Sequence, residues 1–216
     1  MTFVRSLRAY AKRPGPIAAR LGSKERCEIC STPLLGNEHP HVLEFATRAL
    51  LCSCDPCARL FVDARASSHR FRTVPDRVVA DTIANVDEAR WRTVGIPVGL
   101  AFLVRNSTSP GARCIYPSPA GPVESEIDPE AWDRLVEVVG MASEAEPDVE
   151  ALLFRRRRDG RLDCVVAPVD ACFAIVGAVR ANWRGFDGGD DARRVIEHHL
   201  EKLLARSLPW RKGAST

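Results

Sequence analysis

The chain has 216 residues, of which 45% are hydrophobic, 27% charged and 6% aromatic, a composition that excludes wholesale disorder and suffices for a buried core. No apolar run reaches the roughly 18 residues of a membrane-spanning helix, and Met1-Thr2-Phe3-Val4-Arg5 lacks the apolar stretch of a secretory signal, so a cytoplasmic protein is expected. The net charge of +3 is uneven: residues 1–24 hold Arg5, Arg8, Lys12, Arg13, Arg20 and Lys24 with no acidic side chain, which leaves 25 basic against 28 acidic groups in the remainder.

In chain order, Phe3 to Lys12 reads as a short basic helix ended by Pro14-Gly15-Pro16, because each proline removes a donor and disfavours helical geometry before it. Residues 1–22 are thus a basic arm: a targeting segment, a tail attracted to an anionic surface, or a solvated leader. Residues 23–66 concentrate the cysteines and form a small module. Within it, His41 to Ala46 and Arg48 to Leu51 read as a hairpin, and Ala58-Arg59-Leu60-Phe61-Val62 starts a helix after Cys57.

Residues 75–208 read as a second domain, with 209–216 as a tail. Asp87 to Trp91 opens a short helix that Gly95 ends. Val98 to Val104 and Arg113 to Tyr116 are strands joined by a long turn-rich loop, and Pro117 to Pro122 must be irregular. Asp128-Pro129 supplies a cap and a proline at the first helical position, with Trp132, Leu135, Val136 and Val139 at helical spacing and Gly140 closing the helix. Leu152 to Arg157 and Arg161 to Ala167 flank Asp159-Gly160, a two-residue hairpin signal. Asp170 to Trp183 is apolar on most sides, a buried helix in which Gly177 permits close approach to the sheet. Asp190 to Arg206 carries the stripe Ala192, Val195, Ile196, His199, Leu200 and Leu203. The order hairpin, helix, hairpin, helix, helix predicts an α+β fold: an antiparallel sheet with helices, on which the four-cysteine module packs.

Of eight cysteines, five fall within 31 residues, and Cys114, Cys164 and Cys172 are scattered. Cys27-Glu28-Ile29-Cys30 and Cys54-Asp55-Pro56-Cys57 are two Cys-x2-Cys pairs separated by 23 residues, a pattern that lets two tight turns grip one tetrahedral metal. Cys27, Cys30, Cys54 and Cys57 are therefore the predicted ligands of a zinc-ribbon or treble-clef site. Four reduced core cysteines are the plainer alternative. A closed four-thiolate zinc leaves no open position and is redox-inert, so it is structural. Iron, as in a rubredoxin-like electron carrier, competes for the same ligands; against it, Ser31 and Ala58 stand where a glycine would follow each pair. Cys52 either replaces a ligand or is a buried thiol at a strand end. His39 and His41, flanking Pro40, are alternative ligands or ordinary loop histidines.

Other groups carry weaker signals. Arg155-Arg156-Arg157-Arg158 with Arg161 places guanidinium groups at a hairpin tip, where they bind nucleic acid or an acidic partner, or are simply solvated. Arg184 to Asp191 is glycine-rich before a helix, but it lacks a P-loop lysine, and two aspartates stand where an anion would dock. His199 falls on an apolar stripe, and Cys172 on a buried helix face without a histidine partner, so no catalytic set emerges.

Cys27-Glu28-Ile29-Cys30, Leu51-Cys52-Ser53-Cys54-Asp55-Pro56-Cys57, Gly95 to Phe102, Tyr116 to Gly121 and Trp183-Arg184-Gly185 together resemble an actinobacterial zinc-ribbon-containing family encoded near nickel-iron uptake hydrogenases. The resemblance spans roughly residues 25 to 206. It carries no activity with it. What it implies is a cytoplasmic accessory protein for hydrogenase assembly or electron transfer, whose partners are hydrogenase subunits or maturation factors.

Overall fold

A computed structural model of the chain describes residues 25–34, 38–63, 69–83, 99–118, 120–157, 159–184 and 189–211. The basic arm and the Asp87 to Trp91 helix lie outside them. The chain divides into two compact units between Thr73 and Val74. Among the described residues no helix is long and apolar enough to cross a membrane.

The first unit contains β1 (His41–Glu44), β2 (Ala49–Cys52), a short helix α1 (Asp55–Leu60) and β3 (Phe71–Thr73). β1 pairs antiparallel with both β2 and β3, giving the order β2-β1-β3. The expected hairpin is present, its turn closed by Arg48 in the left-handed region at φ 54°. The helix begins three residues earlier than the sequence suggested. Cys54 takes extended geometry as the N-cap and Pro56 occupies the first turn, where its missing amide costs nothing, so the helix starts at Asp55. Phe61 already leaves helical geometry, so Phe61-Val62 does not continue it.

The second unit is built on a seven-stranded sheet. Its strands are β4 (Val79–Ile83), β5 (Leu100–Arg105), β6 (Ala112–Ser118), β7 (Gly121–Ile127), β8 (Glu150–Arg156), β9 (Leu162–Pro168) and β10 (Leu208–Pro209). The order is β10-β4-β9-β8-β5-β6-β7, antiparallel throughout except that β10 runs parallel to β4. The helices are α2 (Pro129–Val138), followed by a 3-10 turn at Gly140–Glu144, then α3 (Val169–Asn182) and α4 (Gly189–Ala205).

Strand alternation divides the core in two. Ala101, Leu103, Leu152, Phe154, Cys164 and Val166 face Trp132, Leu135 and Met141 of α2 and the 3-10 turn. Phe102, Ala151, Leu153, Val165 and Ala167 face Ile175, Val176, Val179, Leu200 and Leu203 of α3 and α4. Helices thus cover both faces of the central strands, which explains why their sequences are continuous apolar runs rather than alternating ones. The α+β class with an antiparallel sheet and helices is correct.

The start of α2 forms as its sequence predicts: Asp128 accepts a hydrogen bond from the Ala131 amide at 2.7 Å, and Pro129 follows at the first helical position. Gly140 does not act as a left-handed cap. It opens the 3-10 turn, and a Cβ there would lie 3.0 Å from the ring of Trp210, so close packing is what requires glycine.

Four other expectations need correction. Pro117 to Pro122 is not wholly irregular, because Pro117 and Ser118 belong to β6 and pair with Pro122 and Gly121 of β7. Alternate pairs of an antiparallel ladder point their amides away from each other, so a proline facing a proline loses no bond there. On the other side β5 pairs only as far as Ile115, and β7 is an edge strand. The Asp159-Gly160 turn is not a two-residue one: the Arg157 amide donates to the Arg161 carbonyl at 2.8 Å to close it, and Gly160 has positive φ, at 82°. Gly177 does not approach the sheet, since a Cβ added there meets nothing within 4 Å; the buried face of α3 is Cys172, Ile175, Val176 and Val179. Replacing Gly177 with alanine is therefore expected to stabilise the second unit by about 0.5–1 kcal/mol, read as a higher urea midpoint. Finally, Pro209 belongs to the sheet as part of β10, and the Trp210 amide bonds to the carbonyl of Ala80 at 3.0 Å.

Candidate metal centre

The first cysteine pair lies on a tight turn held by its own backbone. The Cys27 amide donates to the Thr32 carbonyl and the Ser31 amide to the Cys27 carbonyl, both at 2.8 Å, while Leu34 and Glu25 close the segment at 2.7 Å. Ser31 takes φ 64°, the left-handed conformation that a knuckle needs after its second cysteine. Serine therefore makes the turn that glycine usually makes. The lack of glycine at that position does not argue against iron.

Glu28, inside this turn, clamps it to β2. Its carboxylate accepts from the Cys52 amide at 2.8 Å, and its own amide donates to the Cys52 carbonyl at 2.9 Å. The second pair sits at the start of α1. Cys54 is its N-cap, with the Ala58 amide bonded to the Cys54 carbonyl at 2.9 Å, and Cys57 lies one turn inside. The pairs thus differ in kind: one is a backbone knuckle, the other a helix start.

The four sulfurs converge. Those of Cys27, Cys30, Cys54 and Cys57 all lie within 4.8 Å of one another, and Cys30 Sγ and Cys54 Sγ are 3.6 Å apart. A tetrahedral ion with metal–sulfur bonds of about 2.3 Å has sulfur–sulfur edges of about 3.8 Å, so the cage is close to the size a metal demands. All eight cysteines are free thiols rather than disulfides. Cys27 and Cys57 are buried and Cys30 is exposed, so the cage has a closed side and an open side.

The electrostatics favour a cation. Burial opposes ionisation of Cys27, but the amides of Cys30, Cys54 and Ile29 directed at its sulfur hold its thiol below the usual value. The Thr32 hydroxyl and amide, helped by the Cys57 and Cys27 thiols, bring Cys30 down to about 6. The Cys57 amide favours the Cys54 thiolate, yet burial and the neighbouring Cys30 and Cys27 thiols push Cys54 up. Burial, then the surrounding Cys30, Cys54 and Cys27 thiols, push Cys57 up further. Four sulfurs this close cannot all ionise without a compensating charge. A divalent cation supplies it and releases the remaining protons.

The other sequence candidates separate clearly. Cys52 lies outside the four-sulfur set, and its sulfur clusters instead with ring nitrogens of His39 and His41 within 4.8 Å. At the β8–β9 tip, Arg155 and Arg157 both bond to the buried Asp163, at 2.9 and 2.8 Å, and Arg155 also pairs with Glu197. Arg161 lies 3.5 Å from Asp159. These guanidinium groups are held by carboxylates and do not form an open phosphate site. Residues 185–188 of the glycine-rich turn lie outside the described residues; of its flanks, Arg184 and Arg194 pair with Asp191. His199 Nδ1 donates to the Val195 carbonyl at 2.8 Å, a satisfied helix histidine. Cys114 is pushed up to about 11 by burial, and burial raises Cys164 and Cys172 further, which makes them poor nucleophiles.

Asp163 gives the second unit a pH dependence. Burial opposes its charge, but hydrogen bonds from Arg157 and Arg155 outweigh that and hold its carboxyl below the usual range. Its contribution is therefore present above the unfolded-state value of about 4 and is lost as pH falls through the lower folded-state value. Asp163→Asn is expected to lower the urea midpoint near neutrality, with the gap from wild type closing in acid.

The sequence profile of one family, described as a family of unknown function (DUF5947), matches residues 26–207. The chain belongs to that family. None of the curated proteins and none of the solved structures compared with the chain matches it. The DUF5947 match begins one residue before Cys27 and runs through both units to two residues past α4, so the four cysteines and every strand of the large sheet except β10 are parts of one family unit.

Proposed function

We propose that the protein is a non-catalytic accessory factor whose first unit is held by one structural zinc ion on Cys27, Cys30, Cys54 and Cys57. The observation that carries this reading is the four-sulfur cage of tetrahedral size, complete without any further donor. Such a site has no vacancy for water or substrate, so its role is to fold and present a surface. A knuckle, a β-hairpin and a helix whose first turn bears the second pair favour a treble-clef arrangement over a ribbon.

The partner reading rests on the sequence resemblance: a factor serving nickel-iron hydrogenase assembly in the cytoplasm. The test is affinity purification of the tagged full chain from cells expressing a hydrogenase. Hydrogenase subunits or maturation factors should copurify with wild type and be lost with Cys54→Ser. Their absence from the wild-type sample sinks the partner reading. Stoichiometric iron with visible thiolate charge-transfer bands would instead make the same four cysteines an electron carrier.

A further inference from the structure

We infer that His39, His41 and Cys52 form a second metal site, distinct from the four-cysteine cage, for one borderline-soft divalent cation of the zinc class. One ring nitrogen from each histidine and the Cys52 sulfur lie within 4.8 Å of one another. The two imidazole centroids are 5.1 Å apart, with the rings tilted by 47° rather than stacked. Two imidazoles bound to one tetrahedral ion by bonds of about 2.0 Å have centroids roughly 5 Å apart, so the pair already has the required spacing.

The second observation is His39 itself. Its side chain is 9% exposed, and among the described residues neither ring nitrogen has a hydrogen-bond partner. A neutral imidazole carries one donor and one acceptor, and burying both unmet is costly. The carboxylate of Glu25 is 3.7 Å from Nδ1, beyond hydrogen-bond reach. A cation bound at one ring nitrogen, with that carboxylate drawn onto the other, satisfies both and fixes the ring, as outer carboxylates do for metal-bound histidines.

The backbone holds the three ligands in place. His41 and Cys52 are direct cross-strand partners in the β1–β2 ladder. The buried Ser53 donates from its amide at 2.9 Å and from its hydroxyl at 3.1 Å to the Pro40 carbonyl, which holds His39-Pro40-His41 against Cys52-Ser53-Cys54. Glu28 fixes both backbone groups of Cys52. Imidazole and thiolate donors select zinc-like ions over magnesium or calcium. One thiolate and two neutral histidines leave a zinc-class ion with net charge +1, which Glu25 neutralises. Three protein ligands leave a fourth position open, so this centre, unlike the cage, can exchange a ligand.

The test is a Co2+ titration of the reduced, metal-stripped full chain, with Zn2+ stoichiometry by native mass spectrometry. Wild type should take up two ions in two steps, the tighter carrying the strong thiolate bands of the cage. His39→Ala should weaken the second step by at least about 100-fold and leave the first unchanged, since even an outer partner is worth about 10–100-fold. Glu25→Gln should weaken the second step by about 10-fold, and Cys27→Ser should remove the first and, because the first unit then unfolds, the second with it. Saturation of wild type at one ion overturns the second site and leaves the cage intact, without recourse to any variant. Two ions persisting in the His39→Ala/His41→Ala double variant place the second ion elsewhere and overturn it too. Loss of the tight step in Cys52→Ser would make Cys52 a cage ligand and likewise contradict the proposal.

Discussion

Cys27→Ser, or removal of the metal by a chelator, is expected to unfold the first unit while leaving the second unit folded. The reason lies in what the first unit buries around its centre: Cys27, Leu34 and Cys57, with Ile29, Cys52 and Cys54 packed against them. Half of this cluster consists of the ligands themselves. Its three strands have only three or four residues each, too few to stand without a staple. A structural four-cysteine zinc supplies on the order of 10–16 kcal/mol of folding free energy, more than such a module holds otherwise. The second unit has its own two-sided core and needs no metal for it. The first unit, up to Thr73, holds no tryptophan, and Trp132, Trp183 and Trp210 lie in the second, so tryptophan fluorescence follows the second unit. Hydrogen exchange over residues 25–73 should rise to unprotected rates in chelator while the tryptophan unfolding midpoint stays within error. A large shift of that midpoint would show that the two units fold as one.

Arg77→Ala is expected to destabilise the second unit by about 3–5 kcal/mol. Glu150 opens β8 and its side chain is fully buried, whereas that of Arg77 is 45% exposed. The guanidinium meets the carboxylate bidentately, at 2.7 and 2.9 Å, and also donates to the Glu144 carbonyl at 2.6 Å. The Glu146 amide completes the carboxylate's partners at 2.9 Å. Without the arginine, a buried carboxylate keeps its desolvation cost and loses the charge that offsets it. The asymmetry in exposure gives a ranking: Glu150→Ala should cost less, because the arginine left behind reaches water. The double variant should cost less than the sum of the two single variants. Urea unfolding followed by tryptophan fluorescence measures all three. A cost below about 1 kcal/mol for Arg77→Ala would mean that the pair behaves as an exposed ion pair.

Much of this architecture is legible in the sequence wherever a local signal decides the outcome. The paired Cys-x2-Cys spacing brings the four cage residues together, and Asp128-Pro129 starts α2 at the right residue. Local signals fail where a distant element decides. β10 is two residues long and contains a proline, so only its pairing with β4 makes it a strand. The Pro117–Pro122 pair is tolerated because β5 stops short and β7 is an edge, facts of the sheet and not of the segment. Gly177 resembles a close-packing glycine, yet the helix turns it to solvent. The histidine–cysteine cluster is hidden for the same reason: His41 and Cys52 are 11 positions apart and meet only through the β1–β2 register. The one clue in the sequence is that two histidines and one cysteine remain in the module after the four cysteines are assigned.

The central claim is that Cys27, Cys30, Cys54 and Cys57 hold one ion, and metal content compared between wild type and Cys54→Ser tests it most directly. Elemental analysis of the purified full chains should show at least one zinc per chain fewer in the variant, and the wild-type protein should be colourless. Equal metal content in the two proteins, or iron in place of the zinc, would contradict it.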